Sequence, residues 1–115
     1  TPEQVAQGRA KAWVNFNGTG TVAIRDDFNV SSITDNGTGD YTVTFDNAMP
    51  NANYSVTGSI KEFDSTANTF VFFFVGRKQT LANSVTTNFV RVYALGNNGN
   101  STYDVVMFSV AIFGD

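Results

Sequence analysis

Residues 35–45 read DNGTGDYTVTF, and this stretch decides the fold class. Its first half sets two glycines among Asp, Asn and Thr. Asn and Gly accept the positive φ angles that tight hairpin turns need. Its second half alternates: Tyr41, Val43 and Phe45 share one face, while Thr42 and Thr44 share the other. That period of two belongs to a half-buried strand. A turn of this kind feeding a strand of this kind predicts an antiparallel hairpin, in which Asp and Asn bond their own backbone.

The same pattern extends in both directions. Upstream, Ala12, Val14 and Phe16 share a face, with Lys11, Trp13 and Asn15 opposite. Residues 17–20, NGTG, predict a turn. Val22 and Ile24 mark the next strand, and Phe28 with Val30 the one after. Ser31 and Ser32 break the alternation before Ile33, which predicts a bulge. Downstream, Pro50 ends a run, and Tyr54, Val56 and Ile60 begin another. Polar stretches at residues 61–69, 76–84 and 96–102 lie between strongly apolar segments. Short strands and turns at regular spacing predict an all-β fold, an antiparallel β-sandwich or jelly-roll-like domain. Residues 10–115 read as a single β domain. Residues 1–9 read as a linker or the remnant of an upstream segment, with a short helix as one form for it. Thr1 in place of an initiating Met predicts a piece of a longer chain.

Composition agrees. Charged residues make up 15% of the 115, against a usual share of about 25%. Eleven Phe and ten Gly, with many Asn and Thr, stand in their place. This suits strands and tight turns better than helices, and it is too apolar for disorder. The net charge is −3 with no Lys/Arg cluster, so a nucleic-acid partner is not expected. The longest apolar run, FVFFFV at residues 70–75, falls well short of the ~18 residues that would predict a membrane-spanning helix.

Longer motifs carry a further inference. The segment from Lys11 to Tyr54 contains KAWVNFNGTG, IRDDFNVSSITDNGTGDYTV and AMPNANY. It resembles a segment recurring in the C-terminal domains of phage and prophage tail-fibre proteins, and it spans roughly two fifths of the chain. The resemblance implies a virion component at the tail, acting outside the cell. It also implies a homotrimer, and attachment to a bacterial surface receptor, either a cell-surface glycan or an outer-membrane protein. The family usually has Ser where Asp27 stands, so Asp27 is a departure and not a required acid. Arg25 and Asp26 match the family, and a structural ion pair or turn cap is expected of them.

The second half adds a physical reason for oligomers. The 70–75 run is apolar on both faces, and so is residues 103–113. An antiparallel sheet in a small sandwich normally has one wet face, and a large exposed apolar patch on a monomer is unusual. A subunit interface through Trp13, Val71, Phe73, Val75, Phe108 and Val110 is therefore expected.

For chemistry the chain offers little. It has neither His nor Cys, which removes the common triads and zinc ligands. Asp26 and Asp27 are neighbours, and neighbours on a strand point to opposite faces, so they make a poor acid/base pair. The 35–40 segment has oxygen ligands around a glycine but lacks the closing Glu of a calcium loop. The expectation is a non-enzyme with no cofactor and no metal. Recognition on a rigid β scaffold generally lies in loops. Glu62, Phe63 and Asp64 join an aromatic to carboxylates, Arg77 and Lys78 suit acidic glycans, and Asn97, Asn98, Asn100 and Tyr103 offer amides and a ring. These are the candidate receptor-binding residues. The rival expectation is a trimerisation or capping module that touches no receptor.

Overall fold

The computed structural model describes residues 1–63, 71–75, 84–96 and 102–114, apart from the side chains of Gln7, Glu62, Phe63, Phe72 and Phe74. The chain opens with a short helix, α1 (Pro2–Gly8). Thr1 caps it: its hydroxyl accepts from the Gln4 amide at 3.2 Å, and its terminal amine donates to Gln4 Oε1 at 2.8 Å. Pro2 opens the first turn, where a missing N–H costs nothing. Lys11 Nζ then donates to the Ala6 carbonyl at 2.7 Å, satisfying a group the helix end leaves open.

Among the described residues eight antiparallel strands follow: β1 (Ala12–Asn17), β2 (Ala23–Phe28), β3 (Val30–Gly37), β4 (Asp40–Phe45), β5 (Ser55–Phe63), β6 (Val71–Val75), β7 (Phe89–Gly96) and β8 (Val105–Phe113). The first sheet runs β2-β1-β8-β5 and the second β3-β4-β7-β6. The two sheets face each other across one core, so the all-β sandwich read from the sequence is what the chain forms.

Local chemistry explains several junctions. Thr38 and Gly39 make a two-residue connection between β3 and β4, with Gly37 opposite Asp40. Gly39 has φ of +63°, and the Gly37 amide donates to Asp35 Oδ1 at 3.1 Å, the self-bonding turn expected there. The bulge also falls where Ser31 interrupts the pattern, between Val30 and Ser32. Phe28 and Val30, read together in one strand, are parted. Asn29 adopts φ of +56°, which Asn tolerates better than most residues. Its Oδ1 accepts from the Asn47 amide at 2.7 Å, and its Nδ2 donates to Lys11 O and Asn47 O. The chain changes sheet here, so Phe28 faces out on the first sheet while Val30 enters the core.

Ala12, Val14 and Phe16 are fully buried, as the alternation of β1 requires. Phe16 stacks on Phe108 at 5.1 Å, and Tyr41 meets Phe16 edge-on at the same separation. Phe73 closes on the other edge of Phe108 at 5.7 Å. Gly58 of β5 permits this approach: a Cβ there would stand 2.6 Å from the Phe73 ring.

These contacts correct the expected interface. Phe108 and Val110 lie in the chain's own core, and Val71, Phe73 and Val75 pack against it. Both faces of these strands are apolar, so pattern alone could not choose between them. The register of β8 against β1 turns Phe108, Val110 and Ile112 inward, and Met107, Ser109 and Ala111 outward. Of the expected interface residues, Trp13 remains on the surface.

Candidate functional site on the outer face of the first sheet

The strand register builds two rows across the outside of the first sheet. In one, Phe28, Trp13, Ala111 and Thr57 stand opposite one another in turn; in the other, Asp26, Asn15, Ser109 and Ser59. Trp13 is 36% exposed and Phe28 55%. Beyond Trp13 the outward residues of β8 and β5 are small. The indole therefore stands as a wall beside an open trough of about 430 Å³ lined by Asn15, Thr57, Ser59, Ser109 and Ala111. Backbone at Val14, Gly58 and Val110 completes the lining.

Two polar side chains of the trough, Asn15 and Ser109, are held in place. Asn15 Nδ2 donates to Ser109 Oγ at 3.0 Å. Arg25 reaches across from β2: one guanidinium nitrogen lies 3.4 Å from Asn15 Oδ1, and the other donates to the Val106 carbonyl at 2.7 Å. A register shift in β2 opposite Asn15 and Phe16 lies beside Arg25. The ion pair expected between Arg25 and Asp26 is thus replaced by these bonds. Asp26 accepts the Asp27 amide at 2.9 Å within β2, and no turn is capped there. Asp26 and Asp27 stand opposite Asn15 and Val14, on alternate faces of an edge strand. On the far side of Phe28, a second hollow of about 300 Å³ is lined by Arg9, Ala10 and Lys11.

The residues singled out in the second half fall elsewhere. Glu62 and Phe63 belong to β5 and not to a loop, and Phe63 stands opposite Val105. Asp64, Arg77, Lys78, Asn97, Asn98 and Asn100 lie outside the described residues. Tyr103 is half-buried, and its amide donates to the Ala94 carbonyl at 3.0 Å. The strand ends that flank the three polar stretches do not meet at one place. Phe63, Gly96 and Val105 lie with the Thr38–Gly39 turn at one end of the sandwich. Val75 stands opposite Val92, and Ser84 accepts from the Arg91 amide along the edge beside β7.

That end of the sandwich is a structural clasp. The Tyr41 hydroxyl sits 2.8 Å from the Gly18 carbonyl and 3.0 Å from Asp104 Oδ1, which also accepts the Gly39 amide at 3.0 Å. Burial and the neighbouring carboxylate of Asp104 push the Tyr41 hydroxyl well above its ordinary pKa. Gly39 cannot be replaced lightly, because a Cβ would lie 2.6 Å from the Tyr103 backbone nitrogen. Sequence reasoning missed Asp104, whose signal was a lone carboxylate at the entry to an apolar strand.

No family model, no curated protein and no solved structure matches the chain. Among the described residues there is no group of three or more metal-ligating side chains, and no helix is long and apolar enough to cross a membrane. The trough offers one indole, one amide and several hydroxyls. Its chemistry is stacking and neutral hydrogen bonding.

Proposed function

We propose that this domain is a non-enzymatic attachment module from the C-terminal part of a phage tail fibre, adsorbing to a receptor on the bacterial surface. The resemblance of residues 11–54 to tail-fibre domains supports the reading. The observation that carries it is the first sheet's outer face, where Trp13 and Phe28 stand exposed beside a trough of fixed polar groups. Exposed aromatics on a rigid scaffold are costly to leave in water unless something covers them. We take the finer architecture to be jelly-roll-like and the working unit to be a homotrimer, in which three weak contacts combine into firm attachment. The receptor is a surface glycan or an outer-membrane protein, and the site of action is the virion tail, outside the cell.

The same exposure of Trp13 and Phe28 favours a second reading, a module that registers three chains and touches no receptor. Labelled protein incubated with a panel of bacterial strains separates the two. The attachment reading expects saturable adsorption to some strains and none to others. Adsorption to no strain, from a chain that light scattering shows to be a stable trimer, would leave the registering role. A monomer that adsorbs would keep attachment and remove the trimer.

A further inference from the structure

We propose that the trough beside Trp13 is a binding site for a single uncharged sugar ring, such as a neutral hexose or N-acetylhexosamine unit of a surface polysaccharide. This rests on the attachment reading and names the chemistry of its contact.

Four observations converge on that class. The first is the wall. A pyranose presents a face of C–H bonds and a rim of hydroxyls, and an indole offers the apolar plane such a face stacks on, with an N–H at its edge. Trp13 stands at the trough with a third of its surface open.

The second is charge. None of the side chains lining the trough is ionisable. At its rim, Arg25 is engaged with the Val106 carbonyl and lies against Asn15, and Asp26 stands opposite Asn15 with its Oδ1 accepting the Asp27 amide. A charged ligand would give up water without gaining a counter-charge. A neutral polyol meets no such penalty.

The third is hydrogen-bonding capacity already aimed. Ser109 Oγ accepts from Asn15, so its own hydrogen is left to donate, and Asn15 Nδ2 keeps a second hydrogen. Arg25 and Ser109 hold the amide from two sides, so little side-chain freedom is lost on binding.

The fourth is size. Trp13 and Thr57 stand two strands apart, and Trp13 and Asn15 are alternate residues of one strand. At about 4.8 Å between strands and about 6.8 Å between alternate residues, the frame is roughly 10 by 7 Å, the footprint of one ring with its hydroxyls. The volume falls in the lower part of the roughly 300–1,000 Å³ usual for small-molecule sites. An extended peptide fits less well. The trough lies over β1, β8 and β5, whose backbone groups pair with one another there, so strand addition has no free edge to use.

Trp13 is the chain's single tryptophan, so its emission reports on this wall alone. The test titrates the whole chain with methyl glycosides of glucose, galactose, mannose and N-acetylglucosamine, and follows both Trp13 emission and the amide resonances of Ser109 and Ala111. At least one glycoside should give a saturable change in the millimolar range. Asn15→Ala should weaken it about fivefold or more, and Thr57→Glu, a carboxylate set into the trough from an exposed site, should abolish it. Circular dichroism of both variants should match the parent. Thr38→Ala, on the distant turn, should change nothing.

No saturable change with any of the four glycosides overturns the site. So does a change that survives both trough variants undiminished. So does an emission shift that tracks protein concentration together with a rise in scattering mass, since a second copy then fills the trough. Adsorption to cells keeps the two levels apart. If Asn15→Ala adsorbs like the parent and no glycoside binds, the sugar site falls and attachment stands. If a glycoside binds and the chain adsorbs to no strain, attachment falls and the sugar site stands.

Discussion

The two sheets of the sandwich treat their outer faces in opposite ways. On the second sheet, Tyr93 and Leu95 of β7 lie outside the main core cluster yet are 1% and 5% exposed. Arg91 binds both oxygens of Asp40 across the strands, at 2.9 and 2.7 Å, and its guanidinium carbon lies 5.6 Å from the Tyr93 ring centre. Around Arg91, Tyr93 and Leu95 that face is closed within one chain. On the first sheet, Trp13 and Phe28 stand open and the polar groups beside them keep unused hydrogens. The lesson is that burial of apolar surface on both sides of a strand does not by itself call for another subunit. β7 is covered on both sides without one, at Tyr93 and Leu95 as at Val90 and Val92. What stays open is the surface where small residues lie beside the rings of Trp13 and Phe28.

Substitutions can break this comparison, beginning with the shared core. Phe108→Ala should cost about 3–5 kcal/mol, because Phe108 touches Phe16, Tyr41 and Phe73 and a cavity would remain. Ala111→Ser, one face over on the same strand, should cost under about 0.5 kcal/mol, since its side chain meets the open trough. Chemical denaturation of the two variants measures the gap. Equal losses would show that the inward and outward faces of β8 have been exchanged.

A smaller effect separates the two outer faces. Arg91→Ala should destabilise by about 2 kcal/mol, because it leaves a mostly covered Asp40 carboxylate with a 3.4 Å contact from Asn36 Nδ2 in place of two charged bonds. Trp13→Ala should cost about 1–2 kcal/mol in stability, less than a fully buried ring would, and show its larger effect in binding. A loss of about 3–5 kcal/mol, the range of a core tryptophan, would show the first sheet's outer face to be a packed surface and not an open one.

A further effect appears at high pH. Burial raises the Tyr54 hydroxyl to about 12, while it donates to the Thr86 carbonyl at 2.7 Å, and Tyr41 is raised in the same direction. A tyrosine in the unfolded chain titrates near ~10. Below that value the stability is fully present. Between pH ~10 and 12 the unfolded chain loses protons that the folded chain keeps, so stability should fall by about 1 kcal/mol per pH unit for each such tyrosine. Tyr54→Phe should begin less stable at neutral pH and decline less steeply above pH ~10. An unchanged slope would mean that Tyr54 ionises freely in the folded protein.

Much of the fold could be read from residues whose two faces differ. In β1 and β4, apolar and polar residues alternate, so Ala12, Val14, Phe16, Tyr41, Val43 and Phe45 could be assigned to the core directly. The turn at residues 35–40 and the bulge at Ser31 were legible because Gly, Asn and a broken alternation each have a local cause. β6 and β8 were not legible in the same way. Phe108 and Met107 are both apolar, and only the pairing of β8 with β1, remote in sequence, decides which goes inward. The trough had a partial signal in Trp13, which its neighbours' alternation placed outside the core. Asn15 shared that signal, but Ser109 and Thr57 gave none, because nothing local in a sequence reports that three distant strands will lie side by side.

The position of β8 also has a consequence for how copies of this chain come to exist. It lies between β1 and β5, and the Asn15–Ser109 contact spans 94 residues of sequence. While a ribosome is still delivering residues 105–113, the first sheet is a hairpin and a separate strand with a vacant lane between them. Contacts of such long range form slowly. Where identical chains mature side by side, each offers the same lane and each grows the strand that fits it. A β8 from one chain could then settle in its neighbour, giving an exchanged assembly with every native pairing intact. The order in which strands leave the ribosome, and how far apart the growing chains are kept, would then decide whether neighbouring copies finish as separate domains or as one knot of shared strands.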